Sequence, residues 1–338
     1  VASTTLAFLG DLMLGRKVSE LLRTKPPEWI WGDVLPVLRA ADAVFANLES
    51  PITAHHEAWR RTWKMFHFRA DPAAVGMLIS ANLRAVALAN NHILDFNARG
   101  LLDTIEHLDA VGVGHAGAGR DAAAAAAPAV LRLPAISVGF LAATDTMRSF
   151  RSGATTPGTN YIAIEPASPA LEWIAQSAAA LRRSGVSPIV LSLHWGPNMR
   201  LRPRAHFRAF ARAAVERGID IVHGHSAHVF QAVECHRGGV ILYDAGNFID
   251  DHWNFWNFGT YWNFPFRHDD WSFVFLVDIE AGRPRRLRML PVRTRPWPLS
   301  LATGATFDAI ARRMETLSAA VRMPIVRTAR GLEIPIAA

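Results

Sequence analysis

The sequence predicts a layered α/β domain. Short apolar runs alternate with segments of helical periodicity, the pattern of strands carried between helices. A late block of strand-like runs without intervening helices points to sheet-on-sheet packing in the second half. Half of the 338 residues are hydrophobic, enough for a large core.

The elements follow in order. Thr5–Gly10 (TLAFLG) is the first predicted strand, with Asp11 at its carboxyl end. Ala43–Ala46 is the second and leads into Asn47-Leu48-Glu49. Asp71–Ala81 has helical spacing, with Asp71 as N-cap and Pro72 at the first helical position. A third strand, Arg84–Leu88, runs into Asn90-Asn91-His92. Arg99–Val111 reads as a helix stopped by Gly112. The six alanines Ala122–Ala127 favour a short helix, since Ala has the best helix propensity. Strands at Ala129–Leu133 and Ile136–Leu141 precede a helix at Pro169–Arg183. Strand Pro188–Leu193 ends on His194, and helix Arg204–Arg217 leads to Ile219–Val222, which ends on His223-Gly224-His225. Val229–Cys235 with Val240–Tyr243 reads as a hairpin, as does Ser272–Ile279 with Arg285–Val292. Thr306–Ala320 closes the chain as a helix. With no clear linker, residues 1–300 are expected to form one domain, with 301–338 as a helix and tail packed on it.

Composition narrows the function. Cys235 is the single cysteine, which excludes a disulfide framework and a Cys-rich zinc site. No uninterrupted apolar stretch of about 18 residues is present, so no membrane span is expected, and the start lacks the pattern of a signal peptide. Cytoplasmic residence is the expectation. A formal net charge of +7 favours an anionic partner, a polyanion or a peptide terminus. No nucleic-acid-binding motif accompanies it. Gly112-x-Gly114-x-x-Gly117 matches the dinucleotide fingerprint in letters only, because it follows a helix instead of a strand.

The chemistry concentrates at strand ends. Asp11, Glu49, Asn91, His92, His194, His225 and His228 each follow an apolar run. Sites in α/β sheets assemble at the carboxyl ends of strands. Hard carboxylates and imidazoles converging there point to a metal site.

The motifs Gly10-Asp11, Asn91-His92, His194 and Gly224-His225-x-x-His228 resemble those of the calcineurin-like metallophosphoesterases. Within that superfamily the sequence is most similar to the CapA family, named for poly-γ-glutamate capsule synthesis. The similarity runs through GDLMLGR (10–16), NLESPIT (47–53), FHFRADP (66–72), ALANNHILDFNARGL (87–101), LHWG (193–196), GHSAHVFQAVE (224–234) and YDAGNF (243–248). It implies a four-layer α/β/β/α sandwich. It further implies two half-sites: Asp11, Glu49 and His228 in one, and Glu49, Asn91, His194 and His225 in the other, with His92 beside the reacting centre. The superfamily's Asp-x-His reads Asp11-Leu12-Met13 here, and a thioether is a poor ligand for a hard ion. A divalent ion is expected, with Mn²⁺ or Ca²⁺ favoured over Zn²⁺.

Two pairs suggest acid–base work: His92 with Asp95, and His225 with Asp244, since a carboxylate orients a histidine and strengthens it as a base. Asp244 stands where CapA relatives carry Ser. Asp11 joins the catalytic candidates. Arg16, Trp195, Trp253 and Trp256 are the substrate-binding candidates, the last two from a thrice-repeated Trp-Asn-Phe triplet that suggests an aromatic wall. These features favour acid–base chemistry on a peptide, Cα epimerisation of a residue in a ribosomal peptide precursor such as a lasso peptide, a role attributed to one branch of CapA-like proteins. Work on poly-γ-glutamate and phosphoester hydrolysis are the alternatives.

Overall fold

The computed structural model describes residues 3–165, 167–251 and 269–336. Two β-sheets lie face to face. The larger runs Val326–Arg327, Leu332–Pro335, Arg283–Arg293, Trp271–Glu280, Thr4–Leu12, Ala43–Leu48, Leu83–Ala87, Gly114–Ala116. The last four of these strands are parallel and the others antiparallel. The second sheet runs Val233–His236, Gly239–Leu242, Ile221–His225, Ile189–His194, Ser137–Thr144, Ala129–Arg132, parallel in its four central strands and antiparallel at both edges.

Strand alternation builds the layers. From Thr4–Leu12, Leu6 and Phe8 enter the core between the sheets, while Ala7 and Leu9 face the helices on the outer side. Phe8 stacks on Phe45 at 5.0 Å between ring centroids, and Phe45 meets Phe140 of the second sheet at 5.4 Å. Leu38, Leu78, Leu101 and Leu108 cover the outer face of the first sheet. Ile174 and Leu181 from helix Ala170–Arg183, with Phe210 and Ala214 from helix Ala205–Glu216, cover the second. Burying each of these leucine, isoleucine and phenylalanine side chains contributes roughly 1.5–3 kcal/mol. The result is the α/β/β/α sandwich expected from the resemblance.

Local signals behave as their chemistry dictates. Asp71 caps its segment by accepting from the Ala73 amide at 2.9 Å, and the chain passes through a 3₁₀ turn, Pro72–Ala74, into helix Val75–Ser80. Asp121 caps the short alanine helix Ala122–Ala126. The Trp271–Glu280 and Arg283–Arg293 strands form the expected hairpin. The other hairpin is shorter than the sequence suggests. Of Val229–Cys235, only the end from Val233 pairs with Gly239–Leu242. Residues before it are drawn to the 244–247 loop instead, Phe230 bridging to Ala245 and the Gln231 amide donating to the Asp244 carbonyl. The C-terminal helix Gly304–Ala319 sends Ile310, Met314 and Leu317 into the core between the sheets. No helix among the described residues is long and apolar enough to cross a membrane.

Three features position the site. The parallel strands of both sheets end on the same polar cluster, with His194 and His225 adjacent in register. The Thr4–Leu12 strand shifts register against its neighbour between Phe8 and Asp11. At Gly10 a Cβ atom would meet the Gly246 carbonyl at 1.7 Å, so only glycine admits the loop whose carbonyl accepts from the Asp11 amide at 2.9 Å.

Candidate metal centre

Asp11 is the hub. Its Oδ1 accepts from Asn47 Nδ2 at 2.8 Å and lies 3.6 Å from His225 Nδ1 and 3.9 Å from His194 Nδ1. Its Oδ2 lies 3.5 Å from His228 Nδ1. His194 Nε2 is 3.8 Å from Glu49 Oε1. Two potential ligand sets result, Asp11–His194–His225 and Asp11–Glu49–His228. Asp11 is common to both, and Glu49, which the resemblance implies as shared, also reaches His194 of the first set at 3.8 Å. The strand ends explain this: Asp11 sits on the central strand of its sheet, facing the second sheet's two histidines, while Glu49 lies one strand further along.

Burial sets the protonation states. His194 and His225 are pushed down, His194 to about 3, because the interior penalises an imidazolium more than Asp11 favours it. Both are neutral rings with a lone pair to offer. Glu49 is pushed well up by burial and by the Asp11 charge. For His228, burial works downward, but Glu49 and Asp11 raise it to about 10. Asp11 is opposed by burial yet held low by the neighbouring His228, His194 and His225 imidazoles.

These residues fit a divalent cation. Asp11 Oδ2, Glu49 Oε1 and Asn91 Oδ1 are buried oxygens without a hydrogen-bond donor. Unmatched buried acceptors are costly, and a cation held between Asp11 and Glu49 would satisfy theirs while relieving the repulsion between the two carboxylates. Asp11, Glu49, His194, His225 and His228 would hold it. Carboxylate and imidazole donors suit several first-row and alkaline-earth ions. Met13 does not restore the missing histidine: it is buried and its sulfur receives the Gly15 amide at 3.3 Å.

Beside the cluster lies an acid–base group. His92 Nδ1 is 2.6 Å from Asp95 Oδ2 and its ring stacks on Phe68 at 4.1 Å. Lys64 completes the group, 2.6 Å from Asp95 Oδ1 and 3.0 Å from His92 Nδ1. Burial raises Asp95 to about 7 against the pull of Lys64, and burial lowers Lys64. The His92 turn is tied to the cluster through Asn90 and Asn47: the His92 amide donates to Asn90, Asn90 donates to Asn47, and Asn47 donates to Asp11. Asn90 builds this turn, accepting from the His92 and Ile93 amides and donating to Asn47 Oδ1 and the Leu48 carbonyl.

Other candidates are placed differently. Asp244 does not pair with His225. Its two oxygens accept from the Ala227 and Gly246 amides, both at 2.8 Å, so it ties the histidine loop to the loop over Gly10. Burial, then the Asp11 charge, raise it to about 8. Trp195 is a core residue: 3% exposed, it packs edge-on against Phe207 at 5.1 Å and donates to the Tyr243 carbonyl. An indole with both face and N–H committed inside cannot form a substrate wall. Arg16 lies 4.7 Å over the Phe68 ring, close to His92, and its guanidinium is paired with Asp251. Trp253 and Trp256 lie outside the described residues.

Several contributors carried no signal of their own in the sequence. Asn47 bridges Asp11 and His194, with Nδ2 3.3 Å from His194 Nδ1. Asn247 accepts at 2.8 Å from His228 Nδ1 and donates to Asp250. Both lie inside the motifs already noted, NLESPIT and YDAGNF, where the neighbouring charged residue drew attention instead. Lys64 lies in a loop outside every motif.

The architecture and this cluster define the class: an α/β/β/α sandwich with a buried carboxylate–imidazole centre at the carboxyl ends of its strands. Residues 5–252 match the bacterial capsule synthesis protein PGA_cap family, and the chain belongs to it. It is 33% identical over 298 residues to a probable polyglutamine synthesis accessory protein of Mycobacterium tuberculosis, covering 86% of this chain and 76% of that protein. It is 30% identical over 251 residues to the PGA biosynthesis protein CapA of Bacillus subtilis, covering 72% of this chain and 63% of that protein. Identity to the capsule biosynthesis protein CapA of Bacillus anthracis is 28% over 250 residues, covering 73% of this chain and 60% of that protein. The chain thus spans less than two thirds of the two Bacillus proteins. Among solved structures it is similar to a hypothetical protein from Thermus thermophilus, with a TM-score of 0.49, 16% identity and coverage of 85% of this chain and 98% of that one. The fold assignment rests on the sheets and helices themselves.

Proposed function

We propose that the protein is a metal-dependent hydrolase of an acidic glutamate chain, with poly-γ-glutamate as the substrate class. The carrying observation is the pair of ligand sets sharing Asp11, with the His92–Asp95–Lys64 group beside them. The names of the relatives, two CapA proteins and a polyglutamine synthesis accessory protein, support the substrate class. A net charge of +7 suits a polyanion.

When bound, a divalent ion supplies Lewis acidity toward a carbonyl oxygen and makes water a better nucleophile at neutral pH. The chain's own residues do the rest. Hydrolysis adds a hydroxyl group to the carbonyl carbon, breaks the C–N bond and delivers a proton to the departing nitrogen. His92, stacked on Phe68 and oriented by Asp95, is the group that delivers that proton in this reading. Cα epimerisation, which the sequence favoured, needs a base on each face of the carbon. Its support is now one His–Asp pair, because the Asp244 oxygens are held by backbone amides.

One experiment separates these readings. Mn²⁺-loaded protein is incubated with poly-γ-glutamate and with acidic peptides, in ¹⁸O-water and separately in D₂O, with and without chelator. New amino termini with ¹⁸O in the matching carboxylate, lost on chelation, are expected. Intact chains that gain a non-exchangeable deuteron would replace hydrolysis with Cα proton exchange. Intact, unlabelled chains together with phosphate release from p-nitrophenyl phosphate would point to phosphoester chemistry.

A further inference from the structure

The geometry points to Ser192 and His223 as positioning residues that fix the ring of His225, with its Nε2 protonated and its Nδ1 lone pair turned toward Asp11 and His194. The inference rests on reading the Asp11 cluster as a metal centre. Neither residue belongs to the ligand sets, and all three side chains are fully buried.

The direction of each hydrogen bond follows from its chemistry. His223 Nε2 lies 2.7 Å from the Leu9 carbonyl oxygen. A carbonyl only accepts, so Nε2 carries a proton. Among the described residues, the hydrogen bonds of His223 go to Leu9 and Ser192, and its ring lies against Phe8. A buried imidazolium without a paired charge is costly, so the ring is neutral and Nδ1 is an acceptor. Its partner, 3.1 Å away, is Ser192 Oγ. The single hydroxyl proton therefore points to His223. Ser192 Oγ then accepts from His225 Nε2 at 2.9 Å. The proton of His225 is committed there. Its Nδ1, 3.6 Å from Asp11 Oδ1 and 2.9 Å from His194 Nδ1, is left with a lone pair facing the cluster.

The Leu9 carbonyl is free to start this chain because of the strand irregularity. Pairing with Trp271–Glu280 ends at Phe8, and pairing with Ala43–Leu48 shifts register between Phe8 and Asp11. Leu9 is in the first sheet, two residues before Asp11, while His223, Ser192 and His225 are in the second. The same contacts that set the His225 tautomer thus hold a ligand of one sheet in register with the hub of the other. Outer-shell hydrogen bonds of this kind fix ring orientation and basicity in metal sites.

The test begins with the unmodified chain. Long-range ¹H–¹⁵N correlation spectra of the metal-free protein, with ¹⁵N-labelled histidine, should show His223 and His225 both as Nε2–H tautomers. A His225 protonated at Nδ1 overturns the inference. Ser192→Ala should then give a mixed His225 tautomer and weaken Mn²⁺ binding by about 10–100-fold, and Ser192→Thr, which keeps the hydroxyl, should restore both. Unchanged tautomer and unchanged Mn²⁺ affinity in Ser192→Ala also overturn it. If the unmodified chain binds no Mn²⁺, the metal-centre reading fails, and the tautomer of His225 still decides whether the relay exists.

Discussion

Lys64 and Asp95 form an ion pair at 2.6 Å inside the protein, with the ammonium side chain 8% exposed and the carboxylate fully covered. Asp95 also accepts from the Phe68 amide at 2.7 Å and holds His92. Removing one partner of such a pair leaves a buried charge without compensation. Lys64→Met is expected to lose about 3–5 kcal/mol of stability, read as a lowered urea midpoint. A loss below about 1 kcal/mol would mean that Lys64 behaves like a surface residue and does not hold the His92 turn.

Asp244 offers a sharper contrast between two roles. As a backbone clamp, it satisfies the Ala227 and Gly246 amides at once. Asp244→Ala strands two buried donors at about 1–3 kcal/mol each, so the substitution should destabilise the fold by several kcal/mol. It should also lower metal occupancy, because Ala227 precedes His228 and Gly246 precedes Asn247, which holds the His228 ring. A catalytic base would behave oppositely: activity would collapse while the denaturation midpoint and metal content stayed in place.

The contrast shows what the amino-acid order makes legible. Strand ends are readable because apolar runs stop abruptly on polar residues, and so Asp11, Glu49, His194, His225 and His228 can be gathered from the chain alone. The four layers follow from strand order and resemblance together. Partner choice is not readable. Asp244 lies close to His225 in motif order, yet backbone amides at 2.8 Å claim both its oxygens. Trp195 follows His194 directly, but its indole packs into the core against Phe207 and donates its N–H to the Tyr243 carbonyl. Lys64 is invisible because it reaches Asp95 from a loop with no periodicity.

Asp278 gives the pH dependence that the fold itself predicts. It is buried in the larger sheet, where burial pushes it up, but Arg288, Arg286 and Thr5 hydrogen-bond its carboxylate and hold it below the ordinary range. A depressed folded value means that the carboxylate stabilises the fold above its unfolded pKa of about 3.9, and that this contribution is lost as pH falls through the lower, folded value. Asp278→Asn should therefore be less stable than the parent chain at neutral pH, with the gap in denaturation midpoint closing below about pH 4. A gap independent of pH would mean that shape, and not charge, is what Asp278 contributes.

Metal removal ties stability to the centre. Glu49 is buried beside Asp11 and pushed well up by burial and that charge, so without a cation it is a site of tension. Glu49→Gln removes the ionisable group at nearly constant shape. In chelator, the variant should melt at the same temperature as the parent chain or higher. With Mn²⁺ at about 100 times its dissociation constant, the parent should gain about 2.7 kcal/mol, and chelation should reverse the gain. The Glu49→Gln variant should show a smaller gain, because one of the two Asp11-centred ligand sets has lost its second carboxylate. If Mn²⁺ raises the melting temperature of both proteins equally, Glu49 is not a ligand, and the ion is held by Asp11, His194 and His225 alone.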